Sequence, residues 1–224
     1  MSTLRWHEVI DVPALQQAAL RRILEAAARA IRERGRFRIV LAGGETPRGV
    51  YRMLRTADAA WTDWQIHFSD ERCLPRQDAD RNSRMSGVAW LDHVPVPAAQ
   101  VRTIPAELGA RRAAALYATE LQGVGDFDLV LLGLGDDGHT ASLFPGHDWG
   151  DAPGAPDTLA VLDAPKPPRR RVSLSARRLS RSREVLFLVA GPSKRAAVAR
   201  WRAEEEIPAR AIRPVAGVDV LVTG

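Results

Sequence analysis

The sequence predicts an α/β fold, a doubly wound, mostly parallel Rossmann-like sheet with helices on both faces. The apolar runs FRIVLA (37–42), DLVLLGLG (128–135) and EVLFLVAG (184–191) are strand-length and nearly unbroken. Unbroken runs mark strands covered on both faces, whereas a half-exposed sheet shows alternation. Segments of helical periodicity separate these strands, and that order makes a parallel sheet the economical architecture.

The first helix follows Asp11, a capping residue, with Pro13 in its first turn. Leu15, Leu20, Ile23, Leu24 and Ile31 recur at helical spacing, and Gly35 closes it. FRIVLA is the first buried strand. GGETP follows, and a helix is expected from about Pro47 to Leu54. WQIHFS (64–69) is the second strand, and DERCLPRQDADRNS reads as a long polar loop. Helices are expected near Asn82–Leu91 and Gly109–Leu121, then a third strand at 128–135. RVSLS (171–175), EVLFLVAG and VDVLVT (218–223) are further strands, with a helix beginning at Pro192. The Pro- and Gly-rich stretch 145–168 reads as a surface excursion, so residues 1–224 are expected to form one domain.

The net charge is +5, yet basic residues are scattered among Asp and Glu with no aromatic interleaving. That argues against a nucleic-acid partner. Of 32 basic residues only Lys166 and Lys194 are lysines, so each draws notice. No apolar run approaches the roughly 20 residues of a membrane span. The N-terminal charges Arg5, His7 and Glu8 do not resemble a signal peptide, and a lone Cys73 suits reducing conditions. The cytoplasm is the expected compartment.

Gly133–Gly138 fits G-x-G-x-x-G, but Pro145 and Gly146 interrupt the helix a dinucleotide site needs. No G-x-x-x-x-G-K-[ST] or G-x-S-x-G motif is present. His139 and His147, eight apart, lack the spacing of a zinc motif, so no metal site is expected. What remains is a loop at a strand's carboxyl end carrying Asp136, Asp137, Gly138 and His139. A histidine beside a carboxylate can form a general base. Read from the residues alone, a second arrangement also stands, with Asp137 capping a turn and His139 in solvent. GGETP offers the backbone of Gly43 and Gly44, with Thr46 at the helix cap, as an anion site. GPSK repeats the layout and puts Lys194 in a first helical turn, where a cation opposes the helix dipole. Asp70, Glu71, Arg72 and Asn82 could grip sugar hydroxyls and phosphate, or form surface ion pairs.

GGETP, SDERCLP, Asn82-Ser83, GLGDDGHTASLFPG, RVSLS and GPSK run in an order that resembles the 6-phosphogluconolactonase family over roughly residues 40–195. D-G-H-T-A-S-L-F-P-G is its most specific segment; Glu45 departs from the family's usual serine. The resemblance implies hydrolysis of 6-phospho-D-glucono-1,5-lactone to 6-phosphogluconate in the oxidative pentose phosphate pathway. It implies no metal and no cofactor; separately, no obligate protein partner is expected, and a monomer. His139 would be the base and Asp137 its support. Gly43, Gly44, Thr46, Arg72 and Lys194 would hold phosphate. Asp70, Glu71, Asn82, Gly138, Thr140 and Arg171 complete the expected substrate set, with Gly138 amides or Arg171 facing the oxyanion. Glucosamine-6-phosphate deaminases share the fold and are the rival. They resemble D-G-H-I-A-F-N-E-P here, with a catalytic Glu where this chain has Phe144, and Asp-Glu-Tyr where it has Asp70-Glu71-Arg72. A non-catalytic sugar-phosphate sensor is the other alternative.

Overall fold

The computed structural model describes residues 3–224. Six parallel strands form the central sheet: β1 (Leu4–Glu8), β2 (Phe37–Leu41), β3 (Trp64–Phe68), β5 (Phe127–Gly133), β8 (Ser182–Ala190) and β9 (Val218–Thr223). They lie in the order β1-β9-β8-β5-β2-β3. From β2 the chain builds outward to β3, returns to β5 at the centre, then builds the other way through β8 and β9. The carboxyl ends of β2 and β5 therefore flank the switch point where α/β sheets open a crevice. Phe127 to Leu132 and Val185 to Val189 are buried throughout, so these strands are covered on both faces, as their unbroken apolar runs require.

The expected first helix is α1 (Val12–Arg34), capped by Asp11, whose carboxylate accepts from the Ala14 amide at 2.8 Å. Gly35 ends it with φ +68°. Leu15 and Ile23 are fully buried, but Ala19, Ala26, Ala27 and Ala30 fill most of the buried stripe. Leu20, Leu24 and Ile31 pack at its margin, because small side chains let the helix approach the sheet closely. The remaining helices are α2 (Glu45–Leu54), α3 (Asn82–Ala89), α4 (Ala110–Glu120), the short α5 (Ala176–Ser180) and α6 (Arg195–Arg202).

Several expectations need correction. β1 lies in a stretch assigned no element, where Leu4 and Trp6 alternate with Arg5 and His7. It is an edge strand, pinned by Arg5 and His7 on the Asp219 carboxylate of β9. The polar loop after β3 contains β4 (Asp70–Arg72), and the surface excursion contains β6 (Thr158–Val161). Both pair antiparallel with β7 (Arg171–Leu174), so RVSLS belongs to a second, three-stranded sheet. Ser69 links the two sheets: its amide donates to Leu41 O, and its carbonyl accepts from the Leu174 amide.

Two tyrosine hydroxyls clip the carboxyl ends of adjacent strands. Tyr51 donates to Ala42 O at 2.9 Å and accepts from Ala42 N at 3.0 Å. Tyr117 treats Phe68 likewise. Both rings are fully buried, so neither backbone group has water as an alternative. Tyr51→Phe strands a buried N–H and is expected to cost about 1–3 kcal/mol. Urea unfolding should show a lower midpoint with unchanged slope.

Candidate active site

A cleft of about 190 Å³ opens at the carboxyl ends of β2, β3 and β5. It is lined by the backbone of Gly43 and Gly44, by Asp70, Arg72 and Asn82, by Gly135, His139 and Ala141, and by Arg171 and Lys194. Most of the expected residues thus converge from six separate stretches of chain.

Nδ1 of His139 lies 2.5 Å from Oδ1 of Asp137, and the same oxygen accepts from the His139 amide at 3.0 Å. The carboxylate thereby holds ring and backbone together. Burial opposes the charge on Asp137, but the bonds to His139 and the nearby Lys166 ammonium hold its carboxyl below the usual range. With Nδ1–H donated to an ionised carboxylate, Nε2 of a neutral imidazole carries the lone pair. Two glycines make this geometry possible. A Cβ on Gly135 would lie 1.9 Å from Nδ1 of His139, so the ring rests where any other residue would place a side chain. Gly138 turns the chain with φ +89°, and a Cβ there would meet Ile207 at 2.9 Å. The Phe144 ring flanks the imidazole, its centroid 4.9 Å away.

Three cations also line the cleft: Arg72, Arg171 and Lys194. Arg72 and Arg171 are direct cross-strand partners of β4 and β7. Like charges so placed repel. Carbonyls of Lys166, Pro167 and Pro168 hold the Arg171 guanidinium near the Phe144 ring, 5.5 Å from its centroid. Burial and the neighbouring Arg72 lower the Arg171 pKa, against the pull of Asp70. Lys194 ends a 3₁₀ turn, Pro192–Lys194, and caps α6 rather than sitting inside it. Among the described residues it forms no ion pair.

Asp70 forms the buried floor. Its carboxylate accepts from Asn82 Nδ2 (3.0 Å), Ser142 Oγ (2.6 Å) and Ser69 Oγ (3.2 Å). Asn82 also presses on Gly43, where a Cβ would lie 2.1 Å from its Oδ1. Gly43, Asn82, Asp70 and Ser142 therefore form one network beneath the cleft. Ser142 and Lys166 were not in the expected set. Ser142 lies in the most specific segment, and Lys166 was marked only by the rarity of lysine; it pairs with Asp136.

Four expected contacts fall outside the cleft lining. Glu71 is fully buried, accepting from the amides of Arg72, Asn82 and Ser83 and from Ser83 Oγ. It satisfies the first turn of α3, which has no side-chain cap of its own. Thr46 is not the cap of α2; the chain turns at Gly44 (φ +104°), and the helix starts at Glu45. Thr140 is buried and bridges to Leu143. The Gly138 amide donates to Gly135 O at 3.1 Å, so it is engaged within the loop.

Asp136, Asp137 and His139 place one donor atom each within 4.8 Å of one another, a set that could hold a cation. In this arrangement Lys166 and the imidazole already occupy the two carboxylates. Burial pushes the Cys73 thiol up, away from nucleophilic character. His67, in the core against Phe127, is pushed down to about 3 by burial and three nearby arginines, and stays neutral.

The family model for glucosamine-6-phosphate isomerases/6-phosphogluconolactonase matches residues 11–221. A 6-phosphogluconolactonase of Synechocystis sp. is 36% identical over 92% of this chain and 90% of its own length. One of Mycobacterium tuberculosis is 37% identical, covering 84% and 82%. The solved 6-phosphogluconolactonase of Thermotoga maritima superposes with a TM-score of 0.91 at 25% identity, covering 99% of this chain and all of that one. A monomeric glucosamine-6-phosphate deaminase, 21% identical with a TM-score of 0.83, shares the fold.

Two outcomes follow from this geometry. A structure of Gly135→Ala should show the imidazole displaced beyond hydrogen-bonding distance of Asp137. Beside the site, Glu107 resists ionisation through burial, but Arg81 and Arg76 hold it at about 2. A lowered folded-state pKa gives stability above the unfolded value of about 4.3 that is lost as pH falls towards 2. Glu107→Gln should flatten that part of the stability–pH curve, measured by urea unfolding.

Proposed function

The chain belongs to the glucosamine-6-phosphate isomerase/6-phosphogluconolactonase family, and on that premise we propose that it hydrolyses 6-phospho-D-glucono-1,5-lactone to 6-phospho-D-gluconate in the oxidative pentose phosphate pathway. The observation that carries this reading is the pairing of a fixed Asp137–His139 dyad with the cation-lined wall of Arg72, Arg171 and Lys194 in one cleft. The 6-phosphogluconolactonases among its relatives support the same substrate.

In this reading the substrate phosphate lies against the Gly43–Gly44 backbone, Arg72 and Lys194. Nε2 of His139 takes a proton as water attacks the lactone carbonyl, C1. Asp137 stabilises the imidazolium that forms. Arg171, which packs near the same Phe144 ring as His139, would stabilise the developing oxyanion. The tetrahedral intermediate collapses by breaking the bond from C1 to the ring oxygen, and His139 returns its proton to that oxygen. The new carboxylic acid then ionises. The step needs only a base and positioning; no residue has to move a proton between sugar carbons.

That economy separates the reading from the deaminase alternative. Phe144, apolar and buried beside His139, stands where a deaminase carries its carboxylate. A sensor would need the cations but not the dyad. We further take residues 1–224 as one domain acting as a cytoplasmic monomer. No helix among the described residues is long and apolar enough to cross a membrane.

Acid release from lactone generated in situ should far exceed the spontaneous rate, with no ammonia from glucosamine 6-phosphate. Ammonia release, or no acceleration, would overturn the reading. His139→Ala should lower kcat by about 10²–10⁴-fold with KM little changed. Lys194→Ala should instead raise KM and weaken inhibition by inorganic phosphate.

A further inference from the structure

The Asp137–His139 contact depends on which way two peptide planes face, and a segment remote in sequence fixes both. Arg200, near the end of α6, donates from Nη1 to the Asp137 carbonyl at 3.2 Å. The Ala209 amide donates to the Gly138 carbonyl, also at 3.2 Å. Each bond holds a carbonyl on the side away from the cleft. A peptide's C=O and N–H point in opposite directions. With the Gly138 carbonyl held outward, the His139 N–H must face the Asp137 carboxylate, where it donates at 3.0 Å. With the Asp137 carbonyl held, the Gly138 N–H faces Gly135 O. Ile207, fully buried, packs against the bare α-carbon of Gly138. Glycine at φ +89° would otherwise permit this peptide to flip cheaply.

From this we infer that Arg200, with the Ile207–Ala209 turn, is a positioning element for the catalytic dyad, locking the Asp137–Gly138–His139 backbone so that the imidazole stays on its carboxylate. Glu205 pairs with Nε of Arg200 at 2.8 Å and aims the guanidinium. Arg200 does not line the cleft; it acts through Asp137. The kinetic part of the inference rests on the lactonase reading, but the geometric part does not.

Arg200 is partly exposed, so Arg200→Ala should fold and keep its thermal midpoint within a few degrees. Its kcat should fall about 10–100-fold with KM near the parent value. Arg200→Lys should recover part of the loss, and Glu205→Gln should lose less than Arg200→Ala. Parent-like kcat in Arg200→Ala would overturn the inference, as would a rise in KM alone. Proton NMR reads the dyad without substrate. The His139 Nδ1–H, identified by its disappearance in His139→Ala, should resonate far downfield in the parent and broaden or move upfield in Arg200→Ala. An unchanged signal would overturn the inference even if the protein hydrolysed no lactone. Loss of the signal in a chain inactive on lactone would uphold the positioning and refute only the proposed reaction.

Discussion

The bond from His139 Nδ1 to the Asp137 carboxylate sets the terms for the surrounding structure. It spans only two residues, and it closes only if the chain turns sharply and nothing occupies the space beneath the ring. Gly138 supplies the turn with its positive φ, and Gly135 leaves the space. Strand β5 delivers the loop to the centre of the sheet, and Phe144 closes one side of the ring. The same carboxylate, ionised well below neutrality, fixes the tautomer that leaves Nε2 able to accept a proton.

Around that dyad the charges are arranged at a cost. Arg72 and Arg171 face each other across two strands, and Lys194 forms no ion pair among the described residues, although it helps to hold the Asp136 carboxyl down. Asp70, the acidic group on the cleft floor, is engaged by three neutral donors. A cleft so built favours a ligand that brings its own negative charge. Under the proposed function, the substrate phosphate would relieve the repulsion between the two arginines.

The second sheet explains how distant segments reach this cleft. Strand β4 leaves the central sheet at Ser69 and pairs with β7, which puts Arg72 beside Arg171 although about a hundred residues separate them. Glu71 and Arg81, buried together beneath, tie β4 to the start of α3 and hold Asn82 against Gly43. Burial neutralises two titratable groups away from the dyad: His67 is uncharged in the core, and the Cys73 thiol is held protonated.

The central sheet was legible in the sequence because burial on both faces forces unbroken apolar runs, and α1 because its cap, period and closing glycine are local. The dyad was legible as a possibility, since Asp137 and His139 are two residues apart. Whether they meet was not, because a solvent-facing histidine fits the same letters. The edge strand β1 and the strands β4 and β6 escaped notice for one physical reason: short strands are stabilised by partners remote in the chain, and polar residues such as Asp70-Glu71-Arg72 carry no apolar signal. Glu71 looked like a ligand for sugar because its sequence neighbours are ligand-like, yet it is spent on the first turn of α3. By itself the sequence determined the fold class, the glycine loops and the chemical types available at the strand ends. Only tertiary structure decided which of those side chains face the cleft, which lie beneath it, and that Arg200 and Ala209 bond the Asp137 and Gly138 carbonyls from a segment remote in sequence, since these are through-space contacts that no local pattern encodes.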